Sequence, residues 1–215
     1  KVYSCPIILK VEPPALDEIE LINPQTILIS ALQIKTQSKS YFEALAKKRI
    51  TALAFEFIKD EDGAYPAVRS LSEIAGTASI LVASELLSNV NGGNGLMMGN
   101  INGVPPTEVV ILGAGTVGEF AARSAIGLGA NVKIFDSSIT KLRCIQTNLG
   151  RNVYTSTMQP KNLLKALKRC DVAIGAVRGS NRSPVVVTET MVDHMKNGSV
   201  IIDVSIDMGG CFETS

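Results

Sequence analysis

Val109-Val-Ile-Leu-Gly113-Ala-Gly115-Thr-Val-Gly118 joins a four-residue apolar run to three glycines, and Phe135-Asp136 follows, Asp136 lying eighteen residues after the last glycine. The apolar run is short enough for a buried parallel strand. The glycines then let the backbone turn tightly and approach a pyrophosphate placed over a helix N-terminus. Gly113 serves the turn, Gly115 leaves room for phosphates, and Gly118 lets the helix beginning near Thr116 and Val117 pack closely on the strand.

The sequence beyond this loop supports the same reading. The helix over 117–128 ends at Gly129, a suitable cap, and Asn131-Val-Lys-Ile-Phe135 supplies a second strand with Asp136 at its carboxyl end. A carboxylate there can accept hydrogen bonds from ribose hydroxyls, whereas a 2′-phosphate would meet like charge, so NAD is favoured over NADP. The competing reading makes Asp136 a cap for the next helix, a task that Ser137 or Ser138 could perform equally well.

The chain has 215 residues, 46% hydrophobic and 19% charged, with a net charge of +1. That balance argues against a nucleic-acid surface or a disordered tail, and the length suits two subdomains. No apolar run of 18–20 residues and no signal peptide are apparent, which makes the cytoplasm the expected location. Cys5, Cys144, Cys170 and Cys211 are widely spaced, which indicates neither a disulfide framework nor a metal site.

Short apolar runs alternate with helical patterns, the signature of parallel sheets wrapped by helices. Strands are expected over 5–11, 26–30 and 50–55, with a helix at about 38–48. Further strands follow at 108–112, 131–135, 152–155, 171–175 and 199–204. Asp60-Glu-Asp-Gly-Ala-Tyr-Pro66 is charged and turn-rich, and divides a first domain (1–66) from a second (67–215). A connecting helix at about 70–88 opens the second domain, with Ser70 and Glu73 as its capping box. The expected fold is therefore α/β: a Rossmann-type doubly wound sheet preceded by a smaller α/β domain.

Taken together, Ile8-Leu-Lys10-Val-Glu-Pro13, Ser72-Glu-Ile-Ala-Gly76, Gly92-Gly-Asn-Gly95, Gly103-Val-Pro-Pro106, the glycine loop, Ile174-Gly-Ala-Val177 and Ile202-Asp-Val-Ser-Ile-Asp207-Met-Gly-Gly-Cys-Phe-Glu213 resemble the alanine dehydrogenase and proton-translocating transhydrogenase alpha-subunit family. The short path from Asp136 to Asp171 is closer to the alanine dehydrogenase branch. The resemblance implies an internal piece of a longer chain with both domains incomplete. An arginine for the substrate carboxylate is expected before Lys1, and the remainder of the cofactor domain after Ser215.

What the resemblance implies is NAD-dependent oxidative deamination of L-alanine to pyruvate and ammonium, run reversibly by a homo-oligomer, in a cleft holding Lys10, Gln33 and Asp207. Such chemistry needs a cation for the carboxylate or carbonyl, a proton-transfer group and a nicotinamide within hydride reach. Lys10 corresponds to the family's substrate lysine; on the bare sequence it is a strand-end lysine pointing into solvent. Asp207 corresponds to the carboxylate near the nicotinamide, with Asp203 as competing acid, since an even spacing along a strand places both on one face. Ser72 and Val177 are placed at the cofactor.

Three features depart from the family pattern, one of them Thr77, which stands after Ile74-Ala-Gly76 where a larger residue is common. Gln33 stands where alanine dehydrogenases usually carry a histidine, and glutamine can hydrogen-bond but cannot exchange a proton near neutral pH. The one histidine, His194, falls near the end of a helix-like run, where it reads as structural. Arg178 and Arg182 enter a loop that is usually apolar; they contact either cofactor phosphates, an acidic substrate group, or only solvent. The alternatives to a dehydrogenase are an NAD-binding sensor without turnover and a transhydrogenase-like NAD(H)-binding subunit.

Overall fold

The structure is a computed structural model that describes residues 2–34, 36–61, 65–179 and 182–215. Asp62, Gly63 and Ala64 of the expected connection lie outside the described residues, as do Ser180 and Asn181 of the basic loop. The chain forms two compact units, 1–71 and 72–215.

In the first unit, β1 (Ile7–Lys10), β2 (Ile27–Ser30) and β3 (Thr51–Ala54) form a parallel sheet in that order. Each strand is shorter than the run that announced it, because the outer residues fall in bends or irregular backbone and, at Phe55, in a 3-10 helix. The register pairs Lys10 with Ser30 and Ser30 with Ala54, so the three carboxyl ends are level. Ile8 and Leu28 face helices α1 (Leu16–Leu21) and α2 (Lys39–Lys47), where Ile19, Ile22, Tyr41 and Leu45 complete a small core. Ile7, Leu9 and Leu53, on alternate positions, remain exposed. Ser38 opens α2 by accepting the Tyr41 amide, as an N-cap serine should.

Helix α3 (Pro66–Leu87) starts four residues earlier than Ser70, which therefore lies inside the helix and is not its cap. Proline suits a first helical position, since its fixed φ matches the helix and its missing N–H would have had no partner. By length and composition alone α3 could cross a membrane. However, Gly76, Ser79, Ile80, Ala83 and Leu87 make one buried face of it, and Ile80, Ala83 and Leu87 enter the core of the second unit. At Gly76 an added Cβ would stand 2.3 Å from the Val117 carbonyl oxygen, so α3 lies directly on the glycine-loop helix.

The second unit is built on five parallel strands: β4 (Glu108–Leu112), β5 (Asn131–Phe135), β6 (Tyr154–Ser156), β7 (Val172–Gly175) and β8 (Val200–Asp203), ordered β6-β5-β4-β7-β8. The sequence of β4 follows the needs of a sheet covered on both faces. Val109 and Ile111 pack with α3, α4 (Thr116–Gly127) and α5 (Ile139–Leu149). Val110 and Leu112 pack with α6 (Pro160–Leu167), Phe135, Cys211 and Phe212. All four are essentially fully buried, and each stabilises the fold by about 1.5–3 kcal/mol through apolar burial. A short helix, α7 (Glu189–Val192), precedes β8. Chain order reverses between β4 and β7, the switch point where open sheets of this kind bind ligands beyond their carboxyl ends.

Candidate functional site

Register brings the candidate residues of the second unit to one edge. Leu112 pairs with both Phe135 and Gly175, and Gly175 pairs with Asp203. The segments that continue from these strand ends carry Gly113, Asp136, Val177 and Asp207.

The three glycines meet different surroundings. Gly113 has φ 109°, in the left-handed region, and an added Cβ would stand 2.3 Å from the Ala176 carbonyl oxygen. Gly118 is extremely confined: a Cβ there would lie 1.9 Å from the Gly113 carbonyl oxygen. Gly115, the N-cap of α4, has nothing within 4 Å of its Cβ position. The first-turn amides after it, at Thr116, Val117 and Gly118, have no partner within the helix, and the helix dipole makes this end attractive to an anion. A tight turn, open space over Gly115 and an uncapped helix start together fit a pyrophosphate.

Asp136 is buried, 7% exposed, and both of its oxygens are engaged. Oδ2 accepts the Ala114 amide at 2.8 Å, and Oδ1 accepts the Ser138 amide at 2.8 Å. Ser138 is itself the cap of α5, accepting the Lys141 amide. Asp136 thus ties the glycine turn to the end of β5 and helps shape the entry to α5. Each carboxylate oxygen keeps a lone pair for a further donor.

At the β8 edge the sequence left two carboxylates in competition, and their surroundings differ sharply. Asp203 accepts from Ser205, Cys211, Phe212 and Ser215, and these hydrogen bonds hold its carboxyl below the usual carboxylate range although burial pushes it up. Asp207 is exposed and makes no hydrogen bond or ion pair to the described residues. The strand ends at Asp203 and Asp207 sits in a 3-10 turn, Ile206–Met208, so the expectation that both acids share one strand face is incorrect. Turn geometry, which a strand-parity argument does not contain, sets the direction of Asp207.

The basic loop is stapled to that turn. Arg182 Nη2 donates to the Gly209 carbonyl at 3.2 Å, and the Ser183 amide donates to the Met208 carbonyl at 2.8 Å. Ser183 Oγ also donates to the Val177 carbonyl at 2.8 Å. Arg178 is exposed. Ser72, in α3, has a partner of its own. His194 is exposed, with Nδ1 2.6 Å from the Thr190 carbonyl oxygen, a local turn contact.

In the first unit, Lys10 does not point freely into solvent. Its Nζ meets Glu18 Oε2 at 2.7 Å, with side chains 29% and 26% exposed. The Lys10 ammonium beside it, with the Tyr3 hydroxyl, pushes the Glu18 carboxyl down to about 2, and the Ala15 amide donates to the same carboxylate. Gln33 follows β2 in a left-handed conformation, φ 47°, exposed. Glu56 receives the Leu32 and Gln33 amides at 3.2 and 2.9 Å and secures that bend. Glu18, Tyr3 and Glu56 were not singled out in the sequence. The acid at the third position of α1 was the available signal for Glu18; Glu56 had none.

A hollow of about 870 Å³ lies at the opposite end of the second sheet, lined in part by Glu108, Asn131, Lys133 and Asp171. Glu108 pairs there with Lys133, and Asp171 with Lys196. Among the described residues no group of acids, cysteines and histidine forms a metal site.

This strand order, with a glycine turn passing into a helix at the switch point, defines the class of Rossmann-type α/β proteins. Comparison with known proteins is specific within that class. Residues 1–75 match the alanine dehydrogenase/PNT N-terminal domain, and residues 79–215 match the alanine dehydrogenase/PNT C-terminal domain. The chain belongs to the alanine dehydrogenase/PNT family, a family of NAD-dependent oxidoreductases.

Alanine dehydrogenase of Bilophila wadsworthia is 38% identical over 212 residues, 98% of this chain and 56% of that protein. Alanine dehydrogenase 2 of Staphylococcus aureus is 37% identical over 216 residues, covering 100% of this chain and 58% of that protein. A solved L-alanine dehydrogenase superposes with a TM-score of 0.92 at 34% identity, over 99% of this chain and 59% of the other. The transhydrogenase from Sinorhizobium meliloti shares the fold, with a TM-score of 0.85 at 22% identity, over 100% and 63% of the two chains. The chain thus spans somewhat more than half the length of these curated alanine dehydrogenases.

Proposed function

We propose that the protein containing this chain is an NAD-dependent alanine dehydrogenase, interconverting L-alanine with pyruvate and ammonium. The observation that carries this reading is the level carboxyl edge of the second sheet, from which the Gly113–Gly118 turn, Asp136, Val177 and the Asp207 turn all continue. Identity of 37–38% to two named alanine dehydrogenases supports it.

The residues divide the work by chemistry. Gly113, Gly115, Thr116, Val117 and Gly118 hold the cofactor's pyrophosphate on the start of α4, and Asp136 offers its remaining lone pairs to ribose hydroxyls. Ser72 and Val177 contribute to the cofactor's setting. NAD, when bound, supplies the hydride acceptor. Lys10, an ammonium kept in place by Glu18, binds the ketoacid and polarises its carbonyl. Asp207, with both oxygens open, takes up and returns the proton at the substrate nitrogen. Gln33 hydrogen-bonds substrate without carrying a proton. The setting is cytoplasmic, and self-association uses the exposed apolar positions of α3, including Ile74, Leu81 and Leu86.

Gln33 itself favours a second reading, cofactor binding without turnover. NADH oxidation by the full-length protein with pyruvate, with and without ammonium, distinguishes the two. Ammonium-dependent turnover supports the dehydrogenase, whereas NADH binding with no turnover supports the sensor.

A further inference from the structure

We propose that Asp203 is the positioning residue for the Asp207 turn, a half-buried anionic anchor around which residues 204–212 are folded. This inference rests on the reading of Asp207 as the proton-transfer group. A carboxylate offers about four lone-pair sites. Asp203 receives five donors within 3.2 Å: at Oδ1 the Ser205 amide (3.0 Å) and hydroxyl (2.5 Å), and at Oδ2 the Cys211 amide (2.8 Å), the Phe212 amide (3.2 Å) and the Ser215 hydroxyl (2.9 Å). The Cys211 thiol lies 3.7 Å from Oδ1. No capacity remains for a substrate amine or a transferred proton.

The donors come from both ends of the turn. Ser205 lies before Asp207, and Cys211 and Phe212 lie after it, so one side chain closes the loop that carries the exposed acid. The surrounding glycines are shaped to this anchor. At Gly175 an added Cβ would lie 2.7 Å from Asp203 Oδ1 and 2.6 Å from Cys211 Sγ, and Gly210, with φ 70°, brings its Cβ position to 3.0 Å from Oδ2. From the other side, Arg182 and Ser183 hold the Gly209 and Met208 carbonyls. The turn is therefore fixed from within by Asp203 and from outside by the basic loop, while Asp207 at its crest is left open.

The test uses the full-length protein and its Asp203→Asn, Ser205→Ala and Asp207→Asn variants. Asparagine at 203 presents an amide group to the backbone donors that now meet a carboxylate oxygen, and Ser205→Ala removes one donor while keeping the charge. Asp203→Asn is expected to keep wild-type NADH affinity and lose about 100-fold in kcat, as displacement of a reacting group by an ångström can cost. KM for pyruvate should change far less. Ser205→Ala should lose about tenfold, the value of one charge-assisted hydrogen bond. The pH profile of Asp203→Asn should retain the limb that Asp207→Asn abolishes, and amide exchange over 204–212 should rise in both Asp203→Asn and Ser205→Ala.

Wild-type kcat together with wild-type exchange in both variants would overturn the proposal. So would loss of that pH limb in Asp203→Asn but not in Asp207→Asn, which would make Asp203 the proton carrier. If the wild-type protein reduces no ketoacid, the alanine reading fails, but the exchange comparison still decides whether Asp203 anchors the turn. Should Asp203→Asn fail to fold, Ser205→Ala carries both readouts.

Discussion

Asp136 holds the Ala114 amide at 2.8 Å across the opening between β5 and the glycine turn, so one carboxylate that reads as a ribose ligand also fixes the turn meant to receive the phosphates. Replacing Asp136 by Asn leaves a buried amide facing the Ala114 or Ser138 donor. Loss of one such bond should cost about 1–3 kcal/mol of stability. NADH should bind about tenfold more weakly or worse, because the ribose contact and the turn are weakened together. Thermal denaturation and a fluorescence titration of the full-length variant measure the two effects. A variant that is destabilised yet binds NADH normally would confine Asp136 to the structural role.

The glycines should separate under substitution by alanine. Gly118→Ala forces a methyl group to within 1.9 Å of the Gly113 carbonyl oxygen and should destabilise the protein by about 1–3 kcal/mol or more. Gly115→Ala meets nothing within 4 Å, so its melting temperature should hardly move while NADH affinity falls. Equal losses of stability in the two variants would contradict the assignment of open space over Gly115 to the phosphates.

The Lys10–Glu18 pair gives a prediction with a definite sign. Glu18 is held down to about 2 in the folded chain, from an ordinary value of 4.5, chiefly by the Lys10 ammonium and next by the Tyr3 hydroxyl. A depressed carboxyl contributes stability that is present above its unfolded value and lost as the pH falls through the folded one. Glu18→Gln should therefore lower the denaturation midpoint at neutral pH, and the gap to wild type should close as the pH falls from about 4.5 to about 2. A gap independent of pH would mean that the ion pair contributes no linkage.

The thiols should sort by burial. Cys170 and Cys211 are buried, which pushes their thiols up to about 12 and about 11, whereas Cys5 and Cys144 are exposed. Iodoacetamide at neutral pH should label Cys5 and Cys144 in the native protein, and Cys170 and Cys211 only after unfolding, as read by peptide mass mapping.

Much of the architecture was legible because it depends on local pattern. The apolar run 109–112, the three glycines and the strand leading to Asp136 specify the strand–turn–helix unit, and the remaining strands apart from the mostly polar β6 were announced by short apolar runs. The helix start at Pro66 was missed because Ser70 and Glu73 imitate a cap inside a helix that was already under way. The contacts that define the candidate site were harder to read because they cross between elements. Glu18 reaches Lys10 from α1, Glu56 holds the Gln33 bend from beyond β3, and Arg182 reaches Gly209 over 27 residues. No spacing rule predicts such pairs. Asp203 and Asp207 show the limit well: identical residues four apart, distinguishable only once the turn between them is folded.

The central claim is tested most directly by following NADH oxidation in the full-length protein with pyruvate and ammonium, beside its Asp207→Asn variant. Turnover that requires ammonium and falls by about two to four orders of magnitude in the variant, with NADH still bound, is the predicted result for a lost proton-transfer group. Turnover independent of ammonium, or an Asp207→Asn variant as fast as wild type, would contradict it.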